Sequence, residues 1–97
     1  MTDQLALSRL RALEPELKRN GIASLYLFGS LARGEETAES DVDLFCDLAP
    51  DSKLGFSFYA LADRIAEVLG RRVELTTREA LHPLIRNDVA QSAVRVF

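Results

Sequence analysis

The sequence has little of what marks secreted, membrane-spanning or disulfide-stapled proteins. Its 97 residues include one cysteine, one histidine and no tryptophan. A single cysteine cannot form an internal disulfide, so we expect a reducing, cytoplasmic environment. No apolar run approaches the roughly 20 residues of a membrane helix, and the N-terminus lacks a signal-peptide pattern. We therefore expect neither secretion nor contact with a membrane.

Positive charge is also scarce. Twelve lysines and arginines face fifteen aspartates and glutamates, which gives a net charge of −3. Direct binding of a nucleic-acid polymer needs a basic face, so this balance argues against it, although not against a small nucleotide held through metal ions. The length and the 47% hydrophobic content predict one globular domain spanning residues 1–97.

Hydrophobic periodicity predicts an α/β fold. Pro15 should interrupt a first helix, and Gly70 should end the third main helical segment. A capping box from Thr76 to Glu79 is a possible start for the tail, with the main part of the last helix beginning at Pro83. The predicted elements are a helix over 3–19, a strand over 23–28, a short helix over 30–33, a loop over 34–39, a strand over 41–47, a helix over 58–69, a strand over 71–76, a helix from 83 and a short strand over 94–97.

The chemistry-bearing residues concentrate between positions 25 and 47. An apolar run ends at Gly29-Ser30, and Asp41 and Asp43 follow at alternate positions of the next strand. Alternation places both carboxylates on one face, about 7 Å apart along the backbone. Like charges so close repel each other unless a cation such as Mg²⁺ lies between them. An Asp-x-Asp strand with its polar face in water is the alternative, but the preceding Gly-Ser turn, which suits a phosphate, favours a metal site.

These two blocks together carry a resemblance to a known family. Phe28-Gly29-Ser30-Leu31-Ala32-Arg33-Gly34 followed by Ser40-Asp41-Val42-Asp43-Leu44 resembles the signature of the DNA polymerase β-like nucleotidyltransferase superfamily. The string is most similar to the minimal branch, the MNT domains, many of which are antitoxins paired with HEPN-domain ribonuclease toxins. The resemblance covers essentially the whole chain and implies a small mixed β-sheet flanked by helices.

The resemblance also implies a set of site residues. Asp41 and Asp43 would bind Mg²⁺, and Glu74 stands where the superfamily has a third acidic residue, usually an aspartate, that completes a site for two ions. Glutamate is one methylene longer, so its approach to the metal would differ. The alternative is that Glu74 is an exposed strand residue paired with Arg71 or Arg72.

The nucleotide side of the site follows from the same resemblance. Gly29 and Ser30 would seat the triphosphate of ATP, and Ser30 can also cap a helix. Arg33 could reach a phosphate oxygen or pair with a neighbouring glutamate, and Ser40 is a weaker candidate for a phosphate contact.

The function implied is Mg²⁺-dependent transfer of AMP from ATP to a hydroxyl on a partner protein, with a HEPN toxin as the expected partner. Two alternatives stay open. The domain could be a binding antitoxin in which Glu74 has spoiled the metal site, or a nucleotidyltransferase acting as an oligomer on a small, aminoglycoside-like acceptor.

The remaining candidates have simpler interpretations. His82 precedes a proline and predicts a surface or capping role, and Cys46 alternates with apolar residues and predicts a buried core thiol. Asp47 shares the strand face of the two aspartates but lies farther along, so we expect it to be solvated. Tyr59 falls off the apolar stripe of its helix and is a candidate interface residue.

Overall fold

The computed structural model describes residues 4–29, 41–50 and 57–97. The predicted helix at 30–33 and loop at 34–39 lie outside these residues. The rest of the predicted order is confirmed. The elements are α1 (Gln4–Ala12), α2 (Glu14–Arg19), β1 (Ile22–Phe28), β2 (Val42–Leu48), α3 (Ser57–Leu69), β3 (Val73–Thr77), α4 (Pro83–Ser92) and β4 (Val94–Arg95).

The break in the first helical segment lies where the proline predicts it. α1 ends at Ala12 and α2 begins at Glu14, so Pro15 occupies the first turn of the second helix. Its missing amide hydrogen costs nothing there, because the first turn has no intrahelical acceptors for its N–H groups. The Leu17 amide donates to the Leu13 carbonyl at 2.9 Å, which closes the first turn of α2.

The four strands form one mixed sheet in the order β3-β2-β1-β4. β1 runs antiparallel to both β2 and β4, and β2 runs parallel to β3. The parallel pair requires a crossover, and α3 lies within the connection that makes it. β1 is a central strand, as its almost continuous apolar run predicts.

The main core lies on one face of this sheet, against the first three helices. Alternation along β2 sends Val42, Leu44 and Cys46 into that core, where all three are fully buried. Burial raises the pKa of the Cys46 thiol to about 12, and the prediction of a buried core thiol is confirmed. The buried cluster comprises Ala6, Leu7, Leu10, Leu13, Leu17, Ile22, Leu25, Leu27, Val42, Leu44, Cys46, Leu61, Ile65, Leu69 and Val96.

The entry to α4 corrects one prediction and confirms two. The capping box from Thr76 to Glu79 is wrong, because Thr76 still belongs to β3 and is paired with Phe45 on β2. α4 instead begins at Pro83, and the Nδ1 atom of His82 accepts the Leu84 amide at 3.1 Å as its N-cap. His82 is exposed, so its predicted surface and capping role is confirmed.

In the described part of the chain, each helix is too short or too polar to cross a bilayer. 

Candidate functional site

A glycine turn closes directly over one of the two predicted metal-binding aspartates. β1 ends at Phe28, which is the cross-strand partner of Asp43, and Gly29 follows with φ +75°. Residues with a side chain rarely adopt this left-handed conformation. A Cβ added to Gly29 would also collide with the Asp43 carboxylate. Only glycine lets the backbone come this close to the carboxylate.

Asp41 lies just before β2, on the face opposite the helix-covered core. Its side chain is 35% exposed, but its Oδ1 atom is buried and accepts no hydrogen bond from the described residues. The Arg72 Nε atom is 3.1 Å from this oxygen, close enough for an ion pair although not aligned as a hydrogen bond. Asp41 therefore presents an oxygen whose strongest described partner is a positive charge.

Glu74 is brought next to Asp43 by the parallel pairing of β2 and β3, in which the two residues are direct partners. It is exposed, whereas its neighbours Val73 and Leu75 pack against the core, so its predicted orientation is confirmed. Two carboxylates opposite each other repel, which favours a cation near this pair. Arg72, a partner expected if Glu74 were only a surface residue, contacts Asp41 instead.

Two of the three predicted metal ligands, Asp41 and Asp43, fit a hard divalent cation. Carboxylate oxygens combined with substrate phosphates are the ligands that Mg²⁺ takes in phosphate-transferring enzymes, and Asp41 offers an oxygen without a hydrogen bond. Across residues 4–29, 41–50 and 57–97, however, no three acidic, histidine or cysteine side chains converge as a metal site. Asp41 and Asp43 would thus be the main metal ligands, and the role of Glu74 as a third ligand stays a prediction.

A second ionic group on the same face was not predicted. Arg78 donates two hydrogen bonds to Asp47, from Nε at 2.9 Å and from Nη2 at 3.0 Å. Its guanidinium carbon lies 5.0 Å from the ring centre of Tyr26 and 5.1 Å from that of Phe45, and these two rings stack at 4.8 Å. The hydrogen bonds to Asp47 raise the pKa of Arg78, so its charge is permanent.

The cluster of Tyr26, Phe45, Asp47 and Arg78 lies on the sheet face that also carries Asp43, farther along β2. The expectation that Asp47 is merely solvated is wrong, because a bidentate arginine binds it. The sequence did carry a signal: Arg78 continues the alternation of Glu74 and Thr76 past the end of β3. Arg72, two residues before Glu74, belongs to the same alternating series at the start of β3.

Three predicted nucleotide-binding residues, Ser30, Arg33 and Ser40, lie outside the described residues, and their roles stay predictions. Of that group the structure describes Gly29 alone, and it brings Gly29 against Asp43.

A family model described as "Nucleotidyltransferase domain" matches residues 10–96. The chain therefore belongs to the nucleotidyltransferase domain family, and its small mixed sheet with flanking helices is the fold of the minimal, MNT-type members. It is a nucleotidyltransferase, and the resemblance of its Gly-Ser and Asp-x-Asp blocks to this family is confirmed.

Two curated relatives extend over most of the chain. The protein adenylyltransferase MntA of Thermococcus cleftensis is 34% identical over 90 residues, which are 92% of this chain and 90% of that protein. A provisionally named protein adenylyltransferase of Methanocaldococcus jannaschii, MJ0435, is 31% identical over 87 residues, 90% of this chain and 92% of the relative.

Solved structures share the fold. A provisionally named minimal nucleotidyltransferase superposes with a TM-score of 0.81 at 29% identity, covering 97% of this chain and 95% of the other. A chain in a structure of a toxin-antitoxin with AMP-PNP gives a TM-score of 0.72 at 23% identity, covering 92% and 72%. A chain in the complex of a tri-AMPylated Shewanella oneidensis HEPN toxin with its MNT antitoxin gives 0.67 at 23% identity, covering 97% and 71%. At these last two identities the likeness shows the fold alone.

Proposed function

We propose that this protein is an antitoxin-type adenylyltransferase that transfers AMP from ATP to a hydroxyl of a HEPN-type partner protein, with Mg²⁺ as its metal. The observation that carries the proposal is the end of the sheet where the Gly29 turn closes over Asp43 and where Asp41 has a buried oxygen that accepts no hydrogen bond from the described residues. Residues 1–97 would act as a single minimal domain.

The carboxylates Asp41 and Asp43 would hold the metal, with Glu74 as the third ligand for a second ion. Bound Mg²⁺ would neutralise charge on the triphosphate and on the leaving pyrophosphate. Gly29 lets the triphosphate approach the backbone, and Ser30, Arg33 and Ser40 are the proposed phosphate contacts beside it. Positioning and charge neutralisation supply most of the acceleration in phosphoryl and nucleotidyl transfer.

The reaction balances without any further reagent. The acceptor hydroxyl oxygen forms a bond to the α-phosphorus of ATP, and the bond from that phosphorus to the bridging oxygen of the β-phosphate breaks. Pyrophosphate leaves with the bonding electrons, and the hydroxyl proton passes to Glu74. Glu74 is exposed at the edge strand β3, so an acceptor approaching from solvent would meet it.

The acceptor is proposed to be a separate protein because the domain has few residues left to form a binding surface for a small acceptor. The helices and strands take up most of the described residues, and the described core serves to pack those elements together. The curated relatives named above are protein adenylyltransferases, and two structural neighbours come from toxin-antitoxin complexes.

The test is transfer of label from α-labelled ATP, with Mg²⁺, to the protein that co-purifies with this chain. The Asp41→Asn/Asp43→Asn variant removes the two proposed metal ligands, and Asp63→Asn/Asp88→Asn makes the same charge change at exposed helix positions. We expect label on the partner with the wild type and with the helix variant, and none with the site variant. A labelled partner in all three samples would contradict the assignment of the site.

One observation favours a second candidate, a binding antitoxin without catalysis. Glu74 does not converge with Asp41 and Asp43 into a three-carboxylate site among the described residues, and Arg72 already pairs with Asp41. In that case the wild type and the Asp41→Asn/Asp43→Asn variant would both bind and neutralise the partner, and neither would label it with any nucleotide.

A further inference from the structure

Four charged residues lie where β2 and β3 begin, in two cross-strand pairs. Asp41 and Arg72 each precede the partnered residues Val42 and Val73, and the Val42 amide donates to the Arg72 carbonyl at 2.9 Å. Two positions farther along each strand, Asp43 stands opposite Glu74. One pair is therefore oppositely charged and the other is like-charged.

Arg72 supplies the single positive charge among these four groups. Its Nε atom is 3.1 Å from Asp41 Oδ1, while the side chain as a whole is 84% exposed. The backbone hydrogen bond fixes where the side chain starts, but the exposed guanidinium is free to turn away from the carboxylate. Arg72 is thus positioned by β3 and held to Asp41 by a contact that water can replace.

We propose that Arg72 is the built-in counter-ion of Asp41 in the metal-free protein, and that a divalent cation must displace it from Asp41 in order to bind. The inference rests on the proposed function, because it takes Asp41 to be a metal ligand. The contact neutralises part of the Asp41 charge when no metal is bound.

The expected effect is modest in size and clear in sign. Exposed ion pairs are weak, and a guanidinium left close to a bound cation also repels it. Removing the positive charge should therefore tighten binding of a divalent cation to the nucleotide-free protein by about two- to five-fold. If Arg72 instead held Asp41 in the orientation that the metal needs, its removal would weaken binding.

The experiment measures Mn²⁺ binding to the nucleotide-free protein, from the electron paramagnetic resonance signal of the free ion. Arg72→Gln removes the proposed competitor, and Arg72→Lys keeps its charge. Arg64→Gln is the matched control, because the Arg64 Nε atom pairs with Glu16 at 3.2 Å on the helical side, with 45% of its side chain exposed. Asp41→Asn identifies the binding that depends on the proposed ligand.

We expect tighter Mn²⁺ binding in Arg72→Gln alone, with Arg72→Lys and Arg64→Gln close to the wild type and Asp41→Asn strongly weakened. Unchanged or weaker binding in Arg72→Gln, or equal tightening in Arg64→Gln, would overturn the role of Arg72 while leaving the metal site in place. Absence of Mn²⁺ binding in the wild type, or binding that Asp41→Asn does not affect, would overturn both this inference and the metal site of the proposed function.

Discussion

Substituting alanine for Gly29 should damage stability and metal binding together, because one added methyl group has two separate effects. The residue adopts φ +75°, where a side chain destabilises the folded state by about 1–2 kcal/mol. Alanine also restricts the unfolded chain, which offsets about 0.4–1 kcal/mol of that cost. The new Cβ would also collide with the Asp43 carboxylate, whose Cγ and Cβ atoms would lie at 3.2 and 3.3 Å. Moving that carboxylate off its rotamer adds about 0.5–1.5 kcal/mol.

Gly70 is a matched control within the same chain. It adopts φ +66° at the end of α3, but a Cβ there would meet nothing within 4 Å. Gly70→Ala should therefore cost the backbone term alone, about 1 kcal/mol, and Gly29→Ala about 2 kcal/mol. For a domain of this size these costs lower Tm by about 5 °C and about 10 °C. Only Gly29→Ala should also weaken Mn²⁺ binding, since it displaces a proposed ligand.

A double-mutant cycle with Asp43→Ala isolates the contact. Removing the carboxylate removes the collision, so Gly29→Ala should cost about 1 kcal/mol less in the Asp43→Ala background than in the wild type. The measurement is urea denaturation of the four proteins. The reasoning would be refuted by additive effects, or by Gly70→Ala being as costly as Gly29→Ala.

Two further outcomes are expected. The pKa of the Cys46 thiol is about 12 in the folded protein and 9.0 in the unfolded chain, so between these pH values the folded state holds a proton that the unfolded state has lost. Stability should then fall as pH rises above 9, by up to about 1.4 kcal/mol per pH unit, and denaturation of Cys46→Ala at pH 8 and 10 should show a smaller fall than the wild type. Arg78→Lys should cost about 1 kcal/mol by urea denaturation, since lysine cannot bind Asp47 through two parallel hydrogen bonds, and no loss would show that the pair contributes little.

The fold could be predicted because its signals are local. Apolar alternation in β2, the proline in α2 and the glycine after α3 each act within a few residues, and each confines the backbone there. The capping box from Thr76 to Glu79 competed with the strand predicted over 71–76, and the pairing of Thr76 with Phe45 on β2 decides in favour of the strand.

The site could be predicted in its residue types but only partly in its contacts. Asp41 and Asp43 are visible as a period-two pattern, whereas the partner of each depends on which strand lies beside β2 and in which register. A parallel β3 brings Arg72 to Asp41 and Glu74 to Asp43. The same register, continued past the strand, brings Arg78 to Asp47. Alternation along β3 indicates the sheet face on which Arg78 lies, but not this partner.

The most direct test of the account is anomalous diffraction from crystals grown with Mn²⁺ and a non-hydrolysable ATP analogue. We predict a Mn²⁺ peak within about 2.2 Å of carboxylate oxygens of Asp41 and Asp43, with the triphosphate against the Gly29 turn on the open face of the sheet. The same map would show whether Glu74 reaches a second ion. A nucleotide bound on another surface, or a metal that contacts neither aspartate, would contradict the central claim.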